Sequence, residues 1–126
     1  MKINSEYGKI LLRITISLVF LWFGINQILS PSDWVDFVPA FASVIVNAKT
    51  LVLVNGVFEI IFGLMLLTGI YVRISALLLG LHLMGIATSL GYGALMIRDL
   101  GLSFATLSIS LLGPDKWCWG YKKSRE

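Results

Sequence analysis

Residues 7–29 read YGKILLRITISLVFLWFGINQIL, and this long apolar run indicates the class of fold. A helix rises about 1.5 Å per residue, so these 23 residues are long enough to cross a hydrocarbon core of about 30 Å. The apolar stretch, residues 10–25, exceeds the roughly 7–15 residues of a signal-peptide core, and no small-x-small cleavage site follows it. We therefore expect a retained transmembrane helix.

Three further apolar runs follow, at residues 50–67, 70–92 and 94–113. The fourth span is marginal, because residues 100–112 alone fall short of the roughly 17–25 residues that a spanning helix needs. Starting this span at Ala94 makes it long enough, but it draws Arg98 and Asp99 below the membrane surface. Because the span reaches the required length only when it includes these two charged residues, it gives the first indication of a polar site.

The segment between the first two spans has its own pattern. Aromatic and aliphatic residues recur there at near-helical spacing, with Pro39 interrupting: Trp34, Phe37, Val38, Phe41 and Ile45. Such a segment is typical of a short amphipathic helix that lies in the membrane interface. The sequence thus predicts an all-α membrane protein, a four-transmembrane-helix bundle with an interfacial helix between helices 1 and 2. We expect one domain over residues 1–126, with a cytoplasmic tail at 114–126.

The amino-acid composition indicates that most of the protein surface faces lipid rather than water. The chain is 57% hydrophobic and 13% charged, with a mean hydropathy of +0.87, whereas soluble domains are about 45–50% apolar and about 25% charged. The net charge of +3 does not indicate nucleic acid, because the basic residues flank apolar runs instead of forming a stripe. The single cysteine, Cys118, excludes an intrachain disulfide.

The basic residues also predict an orientation in the cytoplasmic membrane. With both termini inside, the cytoplasmic side carries eight of the ten Lys and Arg residues: Lys2, Lys9, Arg13, Arg73, Lys116, Lys122, Lys123 and Arg125. Lys49 and Arg98 remain outside. An excess of basic residues in short cytoplasmic loops favours this N-in, C-in topology. Aromatic belts at the two interfaces are predicted at Tyr7, Trp34, Trp117, Trp119 and Tyr121.

Three ionisable residues fall inside the spans and form a candidate intramembrane polar site: Arg13, Glu59 and His82. Charges at such depth usually face the bundle and pair. Counted from the inner helix ends, Arg13 and Glu59 lie at nearly equal depth, which predicts an ion pair between them. The alternatives are that Arg13 extends to the headgroups, that the pair is purely structural, and that His82 is a hydrogen-bonded interior histidine.

Four more residues collect toward the outer side as a candidate outer polar cluster: Gln27, Asn55, Arg98 and Asp99. Asp99 alternatively starts an interfacial helix as its N-cap. No catalytic residue can be assigned from these patterns. One histidine and one distant cysteine cannot build a metal site, and the chain offers no ligands for haem, iron–sulfur or flavin groups.

Three segments carry a resemblance to a known family. Helix 1 reads RITISLVFLWFGINQILSP over residues 13–31, helix 2 and its turn read FEIIFGLMLLTGIYVRISA over 58–76, and helix 4 opens IRDLGL at 97–102. Glu59, Gly63, Gly69 and Arg73 form an E-x₃-G-x₅-G-x₃-R run. Together these features resemble the DoxX family of small four-helix membrane proteins. Where members often carry Lys after the helix-1 glycine, this chain has Gln27.

The resemblance implies a link to redox chemistry, because the family is named from a subunit of a quinone-dependent oxidoreductase that oxidises thiosulfate. The first functional hypothesis is therefore a quinone-linked subunit, with Arg13, Glu59 and His82 as hydrogen-bond partners and proton relay. The second is a structural or assembly subunit that docks another membrane protein. The third is a transporter of a small solute or proton, whose thin pathway a homo-oligomer would enlarge.

Overall fold

The computed structural model describes residues 2–38, 40–89 and 91–119, without the side chains of residues 2–4, 37 and 40. The predicted interruption at Pro39 lies outside the described residues, as does the predicted interfacial side chain of Phe37. The same holds for Tyr121 and for the basic residues predicted in the tail at 122–125.

The described residues form α-helices and one 3-10 helix. In chain order these are α1 (Lys2–Leu29), the 3-10 helix (Pro31–Phe37), α2 (Ala40–Ile45), α3 (Ala48–Thr68), α4 (Val72–Ser89) and α5 (Ala94–Leu112). Within the described part of the chain, four helices are long and apolar enough to cross a membrane: α1, α3, α4 and α5. The predicted all-α, four-span fold is confirmed. The segment between the first two spans contains two short helices instead of one.

The four long helices pack as two antiparallel pairs. α1 packs along α3 and α4 packs along α5, while the pairs meet less extensively between α3 and α4 and between α1 and α5. One end of the bundle, here called the Gly69 end, carries the start of α1, the α3–α4 turn and residues 113–119. The opposite end, the Trp34 end, carries the 3-10 helix, α2 and the α4–α5 connection.

Two glycines set the register between α1 and α3. A Cβ added to Gly24 would lie 2.9 Å from the carbonyl oxygen of Gly56, and one added to Gly56 would lie 3.0 Å from the carbonyl oxygen of Gly24. Small residues at such a crossing let two membrane helices approach closely. Farther along, Gly63 makes room for the side chains of Leu21 and Phe20 of α1. The position of α3 along α1 is therefore fixed by backbone contact.

We expect Gly24→Ala to destabilise the bundle, because the added methyl group meets backbone atoms that cannot move aside. Overpacking of this kind costs about 1–3 kcal/mol. The matched control is Gly101→Ala in α5, where an added Cβ meets nothing within 4 Å. That change should be neutral or slightly stabilising, since Ala favours a helix over Gly. Thermal unfolding in detergent measures both, and equal stabilities of the two variants would contradict the glycine-crossing assignment.

The Gly69 half of the bundle is densely packed. Its core includes Ile16, Phe20, Leu66, Ala76 and Leu79, which are all almost fully buried. A Cβ added to Gly80 would meet Leu107 of α5 at 2.7 Å, so α4 and α5 also approach closely in this half.

Residues 114–119 fold back over the Gly69 end. The amide of Trp119 donates to the carbonyl of Thr68 at 3.0 Å, and the amide of Lys116 donates to Glu6 Oε2 at 2.7 Å. Gly69 ends α3 in a left-handed conformation, with φ of 86°. Its missing side chain makes room for Cys118, whose Cα lies 2.4 Å from where a Cβ would stand. This part of the predicted tail is thus a packed segment of the protein.

Cys118 reports on this packing. Burial raises the pKa of its thiol, so less thiolate is present at a given pH than in an unfolded chain, where the pKa is about 8.5. We expect maleimide labelling of the folded protein at pH 8 to be at least about ten-fold slower than labelling after unfolding. The folded rate should continue to rise at alkaline pH where the unfolded rate has levelled off. Equal rates in the two states would show that residues 114–119 do not pack as described.

Exposed aromatic residues mark both ends of the bundle. Tyr7, Tyr71, Trp117 and Trp119 are exposed at the Gly69 end, as expected for rings at a membrane interface. Trp22 and Tyr92 are exposed toward the opposite end. Trp34, which the sequence predicted as a belt residue, instead packs its ring against Phe23, with centroids 5.5 Å apart. It faces a cavity inside the bundle.

Candidate ligand site between the helix pairs

A cavity of about 370 Å³ occupies the Trp34 half of the bundle. It lies between the two helix pairs and is mostly apolar. Its lining residues come from all four long helices, from Trp34 and Val38, and from α2: Ile16, Val19, Phe20, Phe23, Gln27, Trp34, Val38, Ala42, Leu51, Val52, Val54, Asn55, Phe58, Glu59, His82, Leu83, Ile86, Leu95, Arg98, Asp99 and Leu102. Ligand pockets typically measure about 300–1,000 Å³ and combine apolar walls with a few placed polar groups.

The polar groups of this cavity are joined by hydrogen bonds. Gln27 Nε2 donates to Glu59 Oε1 at 2.8 Å, and Asn55 Nδ2 donates to Gln27 Oε1 at 2.7 Å and to Glu59 Oε1 at 3.2 Å. Glu59 is 4% exposed and Gln27 is 6% exposed, so the carboxyl group is held by amides deep inside the bundle. Its second oxygen, Oε2, takes part in none of these bonds. We call Gln27, Asn55, Glu59 and His82 the polar cluster.

His82 joins the cluster through Asn55. Its Nε2 contacts Asn55 Oδ1, and because the Asn55 amide nitrogen already donates to Gln27 and Glu59, Oδ1 is the acceptor. A carbonyl oxygen only accepts, so the contact requires a proton on His82 Nε2. Nδ1 of the same ring takes part in none of these bonds. The cluster therefore offers the cavity one carboxyl oxygen and one imidazole nitrogen.

Aromatic rings flank the polar cluster on two sides. Phe58 lies against the imidazole of His82, with ring centroids 4.5 Å apart, and also contacts Phe62 at 4.8 Å. On the other side, Phe23 and Trp34 pack edge to face. Aromatic faces and edges at such positions favour a flat, polarisable ligand over a flexible chain.

Arg98 and Asp99 line the same cavity near the start of α5. Arg98 Nε donates to Asp99 Oδ1 at 3.3 Å, and the side chains are 57% and 14% exposed, respectively. The structure therefore brings together residues of the two predicted polar groups. Glu59 and His82 of the intramembrane site lie in one cavity with all four residues of the outer cluster. Asp99 is not the N-cap of α5, because that position is held by Gly93.

The predicted Arg13–Glu59 ion pair is wrong. Arg13 is 1% exposed, and its Nε donates to Asp115 Oδ2 at 2.7 Å while Nη2 reaches Oδ1 at 3.2 Å. Its Nη1 donates to the carbonyls of Leu66 and Leu67 at 2.9 and 2.6 Å. The physical reason is the register between α1 and α3 that Gly24 and Gly56 set. In this register Arg13 lies beside the C-terminal end of α3, whereas Glu59 lies beside the C-terminal half of α1, too far from Arg13 to pair with it.

Sequence reasoning missed two residues that matter here. Asp115 follows Gly113-Pro114 at the same end of the bundle as Arg13, and an acidic residue so close to a membrane span was the available signal. Its inward position depends on the fold of residues 114–119. Trp34 was predicted at the interface, and its spacing gave no indication that the ring turns into the cavity.

Among the described residues, no group of three His, Cys, Asp or Glu side chains is arranged to hold a metal ion.

The fold and the site define a small multi-pass membrane protein whose helix bundle holds a polar cluster in an apolar cavity. The chain belongs to the DoxX family: the family model DoxX matches residues 8–92, more than half of the sequence. The match covers α1, α3 and α4, and with them the whole polar cluster. Neither the curated proteins nor the solved structures contain a match to this chain.

Proposed function

We propose that this protein is a quinone-binding subunit of a membrane oxidoreductase complex. The observation that carries the proposal is the cavity itself, in which a carboxyl group and an imidazole face an apolar, ring-lined space inside a membrane-spanning bundle. A quinone ring is flat and apolar on its faces and has hydrogen-bond acceptors at its carbonyl oxygens. Those properties are complementary to aromatic walls with a few polar groups.

Each member of the polar cluster has a defined part in this proposal. His82 and Glu59 contact the ring, because their Nδ1 and Oε2 atoms remain outside the internal hydrogen bonds. Glu59 can donate a hydrogen bond to a carbonyl oxygen when Oε2 carries a proton, and His82 can do so when Nδ1 is protonated as well as Nε2; either group can then pass that proton on. Gln27 and Asn55 position the carboxyl and the imidazole. The quinone supplies the two-electron redox chemistry when it is bound.

Electrons would come from a partner subunit. The whole chain contains one cysteine and one histidine, which cannot provide the four thiolates of an ordinary iron–sulfur cluster. We therefore infer a complex in which an adjoining membrane or membrane-associated protein delivers electrons to, or takes them from, the bound ring. The proposed setting is the cytoplasmic membrane with both termini inside. In the described residues, Lys9, Arg73 and Lys116 lie at the Gly69 end, as this orientation requires.

The packing argues against the transport hypothesis. Below the cavity, the Gly69 half is filled by core residues, and residues 114–119 cover its end. A site closed on one side suits a bound ring better than a solute in transit. An assembly subunit would use the polar cluster only to hold its helices together, and it would bind no ring.

Fluorescence titration tests the proposal directly. Purified protein in lipid nanodiscs is titrated with a benzoquinone and with a naphthoquinone, since the cavity is compatible with either ring. Trp34 lines the cavity, so binding should quench its emission in a saturable manner. Trp34→Phe is the control, because it leaves Trp22, Trp117 and Trp119 to report unspecific quenching in the bilayer. If quenching by both rings is unsaturable and identical in the control, the quinone proposal is wrong.

A further inference from the structure

The cavity reaches the outer surface of the bundle between α3 and α4. Val54 and Phe58 lie one turn apart on α3, and His82 and Ile86 lie one turn apart on α4, so each pair shares a helix face. Phe58 touches His82, which shows that the two faces oppose each other. All four residues line the cavity, and yet Val54 is 60% exposed on the outside of the bundle.

The arrangement of the two helices explains the gap. α3 ends at Thr68 and α4 begins at Val72, so a three-residue connection holds the helices together at the Gly69 end. Phe58 and His82 form their contact midway, and Val54 and Ile86 lie one turn closer to the Trp34 end. Val54 is exposed on the outside of the bundle and Ile86 is half-buried, although both line the cavity. The opening therefore faces the lipid at the depth of α3 residue 54.

The size of the cavity determines which part of a quinone can lie inside it and which part must extend through this opening. At about 370 Å³ it is near the lower limit of the ~300–1,000 Å³ range of small-molecule pockets. A substituted quinone ring fits within it, but a long isoprenoid chain does not. The chain must therefore leave the cavity, and the apolar side chains of Val54 and Ile86 offer it a path to the bilayer.

We propose that the gap between α3 and α4, bordered by Val54, Phe58, His82 and Ile86, is a lateral portal for a lipid-soluble quinone. The ring lies at the polar cluster, the chain extends between Val54 and Ile86 into the hydrocarbon phase, and the ligand exchanges directly with the bilayer. This inference rests on the proposed function and adds the class of ligand, a ring with a long apolar chain. It gives Val54 and Ile86 a specificity role, distinct from the role of the polar cluster in binding the ring.

The experiment compares two ligands on two double variants. The ligands are dimethoxy-methylbenzoquinone without a side chain and the same ring bearing a decyl chain, both titrated by Trp34 quenching. Val54→Phe with Ile86→Phe narrows the portal without adding a tryptophan. Val57→Phe with Leu81→Phe is the matched control, because Val57 and Leu81 are 47% and 52% exposed on the same helices and do not line the cavity.

We expect the portal variant to weaken binding of the decyl-chain ring by about ten-fold or more, as overpacking of an apolar contact does. Binding of the chainless ring should stay within about two-fold of the parent protein, and the control variant should bind both ligands as the parent does. Equal losses for the two rings, or no loss for either, would overturn the portal. Failure of both rings to bind the parent protein would instead refute the proposed function.

Discussion

Asp115→Ala is expected to lower the free energy of unfolding by about 3–5 kcal/mol, the usual cost of removing one partner from a buried ion pair. The side chains of Arg13 and Asp115 are 2% and 1% exposed, so water cannot replace the lost partner. The carbonyls of Leu66 and Leu67 remain as acceptors for Nη1, but they carry no compensating charge. Asp36→Ala is the matched control, because it removes an exposed carboxylate and should change stability by less than about 0.5 kcal/mol.

A double-mutant cycle identifies the partner of Arg13. Arg13→Met removes the charge and keeps an apolar side chain of similar length. In the Arg13→Met background, Asp115→Ala should cost much less than in the parent protein, because no unpaired guanidinium is left behind. Glu59→Ala should show little coupling to Arg13→Met. Strong coupling of Arg13 to Glu59, with none to Asp115, would contradict the assigned pairing. Thermal unfolding in detergent provides all four corners of each cycle.

His82→Leu and Glu59→Leu are each expected to weaken quinone binding by about ten-fold or more, the effect of removing one good hydrogen bond in a dry site. Glu59→Leu removes the carboxyl group and leaves the hydrogen bond from Asn55 to Gln27 in place. Glu59→Gln does not test the same contact, because its amide still donates to a carbonyl oxygen. His82→Leu removes the imidazole and leaves Phe58 an apolar neighbour. Trp34 quenching in nanodiscs measures both affinities.

The control for these variants is Ser17→Ala. Ser17 is a buried polar residue of α1 that donates to the carbonyl of Arg13 in the Gly69 half, outside the cavity lining. Its removal should leave quinone affinity unchanged, even if stability falls slightly. If the His82 and Glu59 variants bind the ring as tightly as the parent and Ser17→Ala do, the polar cluster holds helices together and is not a ligand site.

The sequence by itself predicted most of the architecture. Helix length and apolar content are local properties, and the four predicted spans correspond to α1, α3, α4 and α5. The same holds for the helix faces. Gln27, Asn55, Glu59 and His82 could be recognised as interior polar residues, because helical periodicity and the cost of exposing such groups to lipid are both readable from the chain.

Tertiary packing, by contrast, determines which of these interior residues contact each other. The depth of Arg13 and Glu59, counted from the helix ends, suggested a pair. The backbone contact between Gly24 and Gly56 instead fixes an offset between α1 and α3 that keeps the two residues apart. Asp115 and Trp34 turn inward because the chain beyond α5 and the chain after α1 fold back over the bundle. Periodicity fixes which face of a helix a residue occupies, whereas partners depend on the offset between helices. That offset is set by close packing between residues that are far apart in sequence. The periodicity of each separate helix therefore does not predict it.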